Sequence, residues 1–578
     1  MKIIINKSKY ILLFILFSCL FSCNESEFLE EEALNFYSLE NSYLTPEQFE
    51  SALTDLYAKV RIYNFGGGDN EYGFVHFLAT DIAFHARETS GRFGDYDVYM
   101  VPTNNIVGDV WDFWYKVIAN ANTIISRLES SELTDEEQVL VGVEAKFFRA
   151  YAYRYLVYLY GGVPLILEEV TAPKDDYVRA SKEEVLEQMV SDFKNAAENL
   201  PSISEVTDGR VSNLVAYHYL AETYISLGKY DEAITAASEV INDVNTSLMT
   251  DRFGSRANED PYDEFLKFTK PGDVFWDLFQ PNNQNRRSGN TEALWVAQME
   301  VDTDGGLLSS TSNTGNCLER WAAPAGGGIS VFLDPDGYAG TLSKAQSNYN
   351  SAGRGVSFIQ NTDFFLNTLW ESDFDNDIRN SEHNIVRDIV YNNPESAYYG
   401  QSAVLEDGTL NSPTWQNQHW RWYPYPSKIT TPGKHPDALF EDKDNLTLTS
   451  AAGSTYRDMY ILRLPETYLL RAEAYFDNGD ATNAAADINV VRGRAEATPV
   501  NASDVTLDYI LDERARELVY EEPRRITLMR TSKLVERVRL YNQLNSDEIK
   551  DYHNLWPIPY ADIEANTGAV LEQNPGYE

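Results

Sequence analysis

The sequence predicts a mainly α-helical protein with tetratricopeptide-like helical hairpins as its scaffold and a large, irregular, loop-rich face. Two observations predict the scaffold. In LAETYISLGKYDEAITAASEV (220–240) Tyr224 is followed by Gly228 and Ala233, and in RAEAYFDNGDATNAAADINVV (471–491) Tyr475, Gly479 and Ala484 repeat the same offsets. Small residues at these places let antiparallel helices approach, and glycine turns the corner between them. A third observation predicts the face: from about residue 250 to 455 the chain shifts to Gly, Asn, Asp, Pro and Trp with few long periodic runs. Turn chemistry dominates there, and its aromatic content argues against disorder.

Taken in order, residues 1–22 place Lys2, Lys7 and Lys9 ahead of an apolar run from Ile11 to Phe21, the layout of a secretory signal too short to span a bilayer. The run ends in Leu20-Phe21-Ser22-Cys23, which resembles the lipobox of bacterial lipoproteins. Leu16-Phe17-Ser18-Cys19 reads the same way, but Cys23 follows the fuller apolar run and precedes NESEFLEEE. Cys23 is therefore the expected lipidation site at the head of an acidic tether, 23–45, and several acyl chains on it would anchor the protein stably to a membrane. With Cys19 removed and Cys23 acylated, Cys317 is the only thiol left, so no intrachain disulfide is expected.

Residues 46–260 form the expected N-terminal helical half. Repeats of this kind stack, and fewer than about three rarely stand alone; WDFWYKVIANANTIISRLES (111–130) and GVEAKFFRAYAYRYLVYLYGG (142–162) are the expected further helices. In the second, Phe147, Tyr151, Tyr155 and Tyr158 share one face while Phe148, Ala152 and Leu159 follow its neighbour, so the helix is apolar nearly all round and its tyrosines belong to a core. Trp111, Trp114, Trp295, Trp370 and Trp556 also read as structural. Within the loop-rich region, 261–455, GNTEALWVAQMEV (289–301) reads as a short strand. Residues 456–578 supply a C-terminal hairpin and a tail containing PIP and QNPGY.

The formal net charge of −42 repels phosphate backbones and excludes nucleic acid as a partner. No HExxH, GxSxG, phosphate loop or CxxC pair is present, and neither an enzyme nor a cofactor is expected.

The ordered landmarks W-x-x-W-Y-K-V-I-A-N-A-N (111–122), GVEAKFFRAYAYRYLVYLYGGVPLI (142–166), the Gly-Arg at 209, GRGVSFIQNTDFFLNTLWESDFDNDIR (353–379), YILRLPETYLLRAEAYFDNGD (460–480), INVVRGRA (488–495), ERARELVYEEPRR (513–525) and the closing LWPIPYADIEANTGAVLEQNPGYE resemble the SusD/RagB family of outer-membrane nutrient-uptake lipoproteins over essentially the whole mature chain. Pro523 departs from the family's usual glycine, and since proline cannot adopt a positive φ the turn there must be built differently. The resemblance implies four tetratricopeptide-like hairpins, no catalysis, and a surface-exposed lipoprotein of the outer membrane. It also implies capture of an oligosaccharide or polysaccharide as lid of a SusC-like TonB-dependent transporter. The competing readings are a glycan-degrading hydrolase of the same system and a repeat adaptor that binds only protein.

Sugar recognition needs flat apolar faces and directed hydrogen bonds to hydroxyls stripped of water. Loop aromatics beside Arg, His, Asn or Asp are thus the expected glycan contacts: Phe84, His85, Arg87, Arg92 and Tyr96 in the first half, and Arg320, Trp321 and Tyr338 in the second. Trp321, beside an arginine and ahead of a Gly run, leads. Trp415, Trp420 and Trp422 in PTWQNQHWRWYPYP could line either the loop face or the transporter contact. If the acidic surface reflects seawater, a marine algal polysaccharide such as ulvan follows, with Arg87, Arg92, Arg286, Arg287 and Arg320 pairing with its anionic groups; starch, fructan and host glycans stay open.

Overall fold

Among the described residues, the helices of eight residues or more are α1 (Pro46–Phe65), α2 (Asn105–Arg127), α3 (Asp135–Tyr160), α4 (Lys182–Asn199), α5 (Asn213–Ser226), α6 (Tyr230–Ile241), α7 (Leu464–Asp477), α8 (Ala481–Arg494), α9 (Leu507–Leu518) and α10 (Leu534–Tyr541). The computed structural model describes residues 42–577 apart from 69–72, 88–94, 259–270, 304–314, 326–331, 342–352, 416–417, 432, 445–446 and 450–451. The signal, Cys23, most of the tether and Arg92 lie outside the described residues.

Helix starts follow local chemistry. At α3 the Thr134 hydroxyl accepts from Glu137 N (3.3 Å) while Glu137 Oε2 accepts from Thr134 N (2.9 Å), and Ser181 with Glu184 repeats this reciprocal cap at α4. The two hairpins that carry the Tyr/Gly/Ala spacing close alike. Gly228 (φ +69°) and Gly479 (φ +83°) take the left-handed corner, where Lys229 N donates to Tyr224 O (2.9 Å) and Asp480 N to Tyr475 O (2.8 Å). A Cβ at either glycine would meet nothing within 4 Å, so backbone conformation and not crowding selects glycine there.

Helices α2 to α8 stack in order, each on the next. The step from α6 to α7 joins chain segments separated by the whole loop-rich region. Arg471 of α7 bridges it, donating to Ser238 Oγ of α6 (2.9 Å) and to both oxygens of Asp487 on α8 (2.8 Å each). The aromatic helix α3 lies inside this stack as expected. Tyr151, Tyr153, Tyr155, Tyr158 and Tyr160 are all buried; Tyr155 stacks on Trp114 (4.2 Å between centroids, 14°) and Tyr151 meets Trp295 edge-on (5.3 Å). Their hydroxyls find partners: Tyr155 donates to Asn64 Oδ1 (3.0 Å), Tyr160 to Val107 O (2.5 Å), and Tyr158 lies 2.9 Å from Ser226 Oγ. Trp111, Trp114, Trp295, Trp370 and Trp556 are buried too.

The expected strand forms at Ala293–Ala297 and pairs antiparallel with Met459–Arg463, Val296 facing Tyr460. The strand pair enters a lattice of buried ions. Arg463 binds Glu521, Glu517 and Glu292; Arg494 binds Glu292 and Glu517; Arg379 binds Asp377, Glu513 and Glu517. Every guanidinium here faces several carboxylates, the arrangement that a buried charge requires. In the turn containing Pro523, the proline keeps φ at −71° at the head of helix Arg524–Arg530, and Tyr520 takes a positive φ (+62°). Much of the irregular region is itself packed, with Trp415 against Phe332 (4.7 Å) and Trp422 against Tyr425 (5.9 Å).

Candidate functional site

Four loop segments converge on one patch. Strand Ala83–His85 pairs antiparallel with Ile359–Asn361, His85 facing Ile359. The short helix Leu318–Ala322 attaches to the same strand's approach, because Val356 N donates to Arg320 O (2.7 Å) and Phe358 N to Trp321 O (2.8 Å). Segment 418–423 completes it: Ser357 Oγ donates to Trp420 O (2.6 Å), Tyr423 OH to Ile359 O (3.0 Å) and Ala322 O (3.1 Å), and His419 Nε2 lies 2.9 Å from Ala86 O.

This scaffolding presents Trp420, half-buried, with the guanidinium of Arg87 5.0 Å and that of Arg421 4.3 Å from its ring centroid. Arg421 Nε is fixed by Gln418 Oε1 (2.8 Å). Burial, and then the like charge of Arg87, lower the Arg421 pKa, so two guanidiniums share a partly desolvated patch beside an indole. An indole with the half-buried guanidinium of Arg87 beside it can cover a sugar ring and hydrogen-bond its hydroxyls, and a carboxylate or sulfate on that sugar would add ionic attraction, to which Arg421, 6% exposed, contributes charge.

The expected contact residues divide. Arg87 is in the patch; His85 and half-buried Phe84 are on its supporting strand, with His85 Nδ1 accepting from Arg87 N (3.2 Å). Half-buried Arg320 adjoins it through the backbone. Tyr338 is 70% exposed but sits in a neighbouring lobe with Phe332, Tyr391 and Trp415, on a turn in which Asp334 Oδ1 accepts from Tyr338 N (2.9 Å) and Asp336 N (3.1 Å). That lobe adjoins the patch where Gln418 N donates to Trp415 O (2.9 Å).

Three expectations need correcting, the first being His85, which is 4% exposed and packs within its strand rather than offering its ring to a ligand. Trp321 is 0% exposed: its Nε1 donates to Gly68 O (2.7 Å), its ring meets Phe74 edge-on (5.5 Å), and a Cβ on Gly73 would lie 2.5 Å from Trp321 Cη2. It is a core residue of a short helix with no free face, not a loop tryptophan. Tyr96 is also buried, donating to Ala79 O (2.5 Å), accepting from Arg525 Nη1 (3.2 Å) and stacking on His553 (5.0 Å). Reading the sequence by composition left Trp420 undecided and passed over Arg421 and His419. The signal was the run His419-Trp420-Arg421, an indole with a basic residue on each side.

Among the described residues no cluster of His, Cys, Asp and Glu could hold a metal ion, and no helix is long and apolar enough to cross a membrane.

Comparison with known proteins agrees with this architecture. Residues 291–577 match the family model described as SusD family, and residues 28–225 match one described as starch-binding associating with outer membrane. The chain is 26% identical to SusD-like protein P25 of Formosa agariphila across 98% of both chains. Among solved structures it is similar to a laminarin-binding SusD-like protein (TM-score 0.64, 22% identity, 93% of this chain and 100% of that one). Surface glycan-binding protein A of Bacteroides thetaiotaomicron, solved in complex with laminarihexaose, is also similar (TM-score 0.64, 18% identity, 92% of this chain and 99% of that one). Two family models, one over most of the N-terminal helical half and one from within the loop-rich region to the C-terminus, and a relative aligned nearly end to end agree on one family: the chain belongs to the SusD/RagB family.

Proposed function

We propose that this protein captures oligosaccharide at the cell surface through the Trp420 patch. In this reading acylated Cys23 holds it in the outer membrane, and it serves as lid of a SusC-like TonB-dependent transporter. The observation that carries the reading is the half-buried Trp420 with the guanidiniums of Arg87 and Arg421 near its ring, assembled by four loop segments. Support comes also from two structurally similar proteins, one that binds laminarin and one solved with laminarihexaose. Laminarin oligosaccharides are therefore the first ligands to titrate, with a sulfated algal oligosaccharide and maltooligosaccharide beside them.

The test is calorimetric titration of wild type and Trp420→Ala. Binding by wild type that weakens about tenfold or more in a folded Trp420→Ala, the scale of losing a central aromatic contact, supports the reading. Equal affinity in the two removes Trp420 from the site. Co-purification of the acylated protein with its transporter tests the lid.

A further inference from the structure

A second recess lies on the scaffold, built by α1, the turn at 207–210 and the edge of strand Ala293–Ala297, with a cavity volume of about 220 Å³. Tyr57, Arg61, Thr207, Asp208, Trp295 and Gln298 are among its lining residues. None of them belongs to the segments that build the Trp420 patch. Gly209 shapes the turn: its φ is +91°, and a Cβ there would lie 2.8 Å from Gln298 Cγ.

The charges around the recess are distributed unevenly. Asp208 is engaged by Arg287 Nε (2.5 Å) and by Arg286 N (3.0 Å). Arg210 is held by Glu144 (2.9 Å) and Glu50. Arg61 differs: Nη1 donates to Gln298 O (3.2 Å), but its Nε is buried without a hydrogen-bond partner and no carboxylate pairs with it among the described residues. Burial lowers its pKa. In a chain with 89 acidic and 47 basic residues, a partly desolvated guanidinium left without an anion is an unfilled acceptor position.

We infer that this recess is a second, independent sugar site, which takes one monosaccharide unit bearing a carboxylate or sulfate, with Arg61 as the anion-binding residue. The anion would accept from the guanidinium, Thr207, Asp208 and Gln298 would meet ring hydroxyls, and Tyr57 and Trp295 would supply apolar wall. The volume falls below the roughly 300–1,000 Å³ of drug-sized sites, which suits one ring and not a chain of them.

The experiment titrates the whole mature protein with sodium glucuronate, glucose 6-sulfate, glucose, sodium acetate and sodium sulfate. The expected result is binding of both acidic sugars, at least tenfold weaker binding of glucose, acetate and inorganic sulfate, and a tenfold or greater loss of glucuronate affinity in Arg61→Gln. Thr54→Trp, which adds bulk at an exposed residue of α1 that lines the recess, should also abolish glucuronate binding at an unchanged melting temperature, and it carries the test if Arg61→Gln does not fold. Glucose or acetate binding as tightly as glucuronate overturns the inference, as does undiminished glucuronate affinity in either variant. Trp420→Ala separates the two sites: it should leave glucuronate binding intact, and loss of that binding would place the acidic sugar at the loop patch instead. Failure of laminarin to bind at Trp420 leaves the recess untouched, so the two readings fail separately.

Discussion

Trp321 and Trp420 are held by the same segment, 356–358, their carbonyls accepting from Phe358 N and from the Ser357 hydroxyl respectively, yet their rings meet different surroundings. The Trp321 indole is enclosed by Phe74 and the backbone near Gly68 and Gly73, so truncating it leaves a cavity. Trp321→Ala should cost about 3–5 kcal/mol of stability, read from the denaturant midpoint, with any ligand effect following from misfolding. Trp420 is half-buried among arginines, and Trp420→Ala should keep the wild-type melting temperature within a few degrees while weakening oligosaccharide binding. A Trp321→Ala protein with unchanged stability would contradict the packing described here.

The elements are joined by buried polar groups whose charge states are set by their neighbours. His218 on α5 is fully enclosed, its Nδ1 2.9 Å from Thr467 Oγ1 of α7. Burial, aided by the charges of Arg514, Arg154 and Arg530 and opposed by Glu222, pushes the imidazole down to about 3. In the unfolded chain it titrates near 6.5, so between about pH 6.5 and 3 the unfolded state binds the extra proton and stability falls as the solution is acidified. Asp81 acts in the same direction lower down: burial opposes its ionisation, but Arg524 and Arg537 outweigh burial and hold it at about 2, so its contribution is lost as pH drops from about 4 through 2. Urea denaturation from pH 7 to 4 should show this slope, and His218→Gln should flatten it above pH 4.5. On α9, Glu517 is the common acceptor of Arg379, Arg463 and Arg494. Glu517→Gln removes a charge shared by three buried cations and should cost roughly 3–5 kcal/mol or prevent folding, whereas an exposed change such as Lys116→Ala should be near neutral.

At the scale of the molecule the helical stack is continuous while the chain that builds it is not. The polypeptide leaves α6, forms the irregular face, and returns at Met459–Arg463 to pair with Ala293–Ala297 before α7 packs on α6. The face is thereby clamped between two halves of one scaffold, and loops with little regular hydrogen bonding of their own can hold Arg87, Trp420 and Arg421 in place. The proposed attachment to the membrane through Cys23 makes a prediction: mass spectrometry of the mature protein should find acyl chains on Cys23 as the first residue, and Cys23→Ala should leave the membrane fraction. A mature peptide beginning at Cys19 would overturn the assignment.

Local pattern by itself determined the scaffold. Tyr/Gly/Ala spacing dictates two hairpins because only a left-handed glycine and small contact residues satisfy that corner, and a helix apolar on every side, such as α3, has nowhere to go but a core. Trp111, Trp114 and Trp295 were legible for the same reason, since they lie in a periodic helix and an apolar strand, whereas Trp370 and Trp556 were placed by the motifs around them. The loop face was legible as a region but not residue by residue. Whether Trp321 or Trp420 keeps a free face is decided by Gly68, Gly73 and Phe74, which are distant in sequence, and by contacts between Arg87 and Trp420 across more than three hundred residues. No periodicity encodes such contacts. Only the tertiary fold, by bringing 83–87, 318–325, 353–361 and 418–423 together, decided which aromatic was enclosed and which remained half-buried beside the arginines.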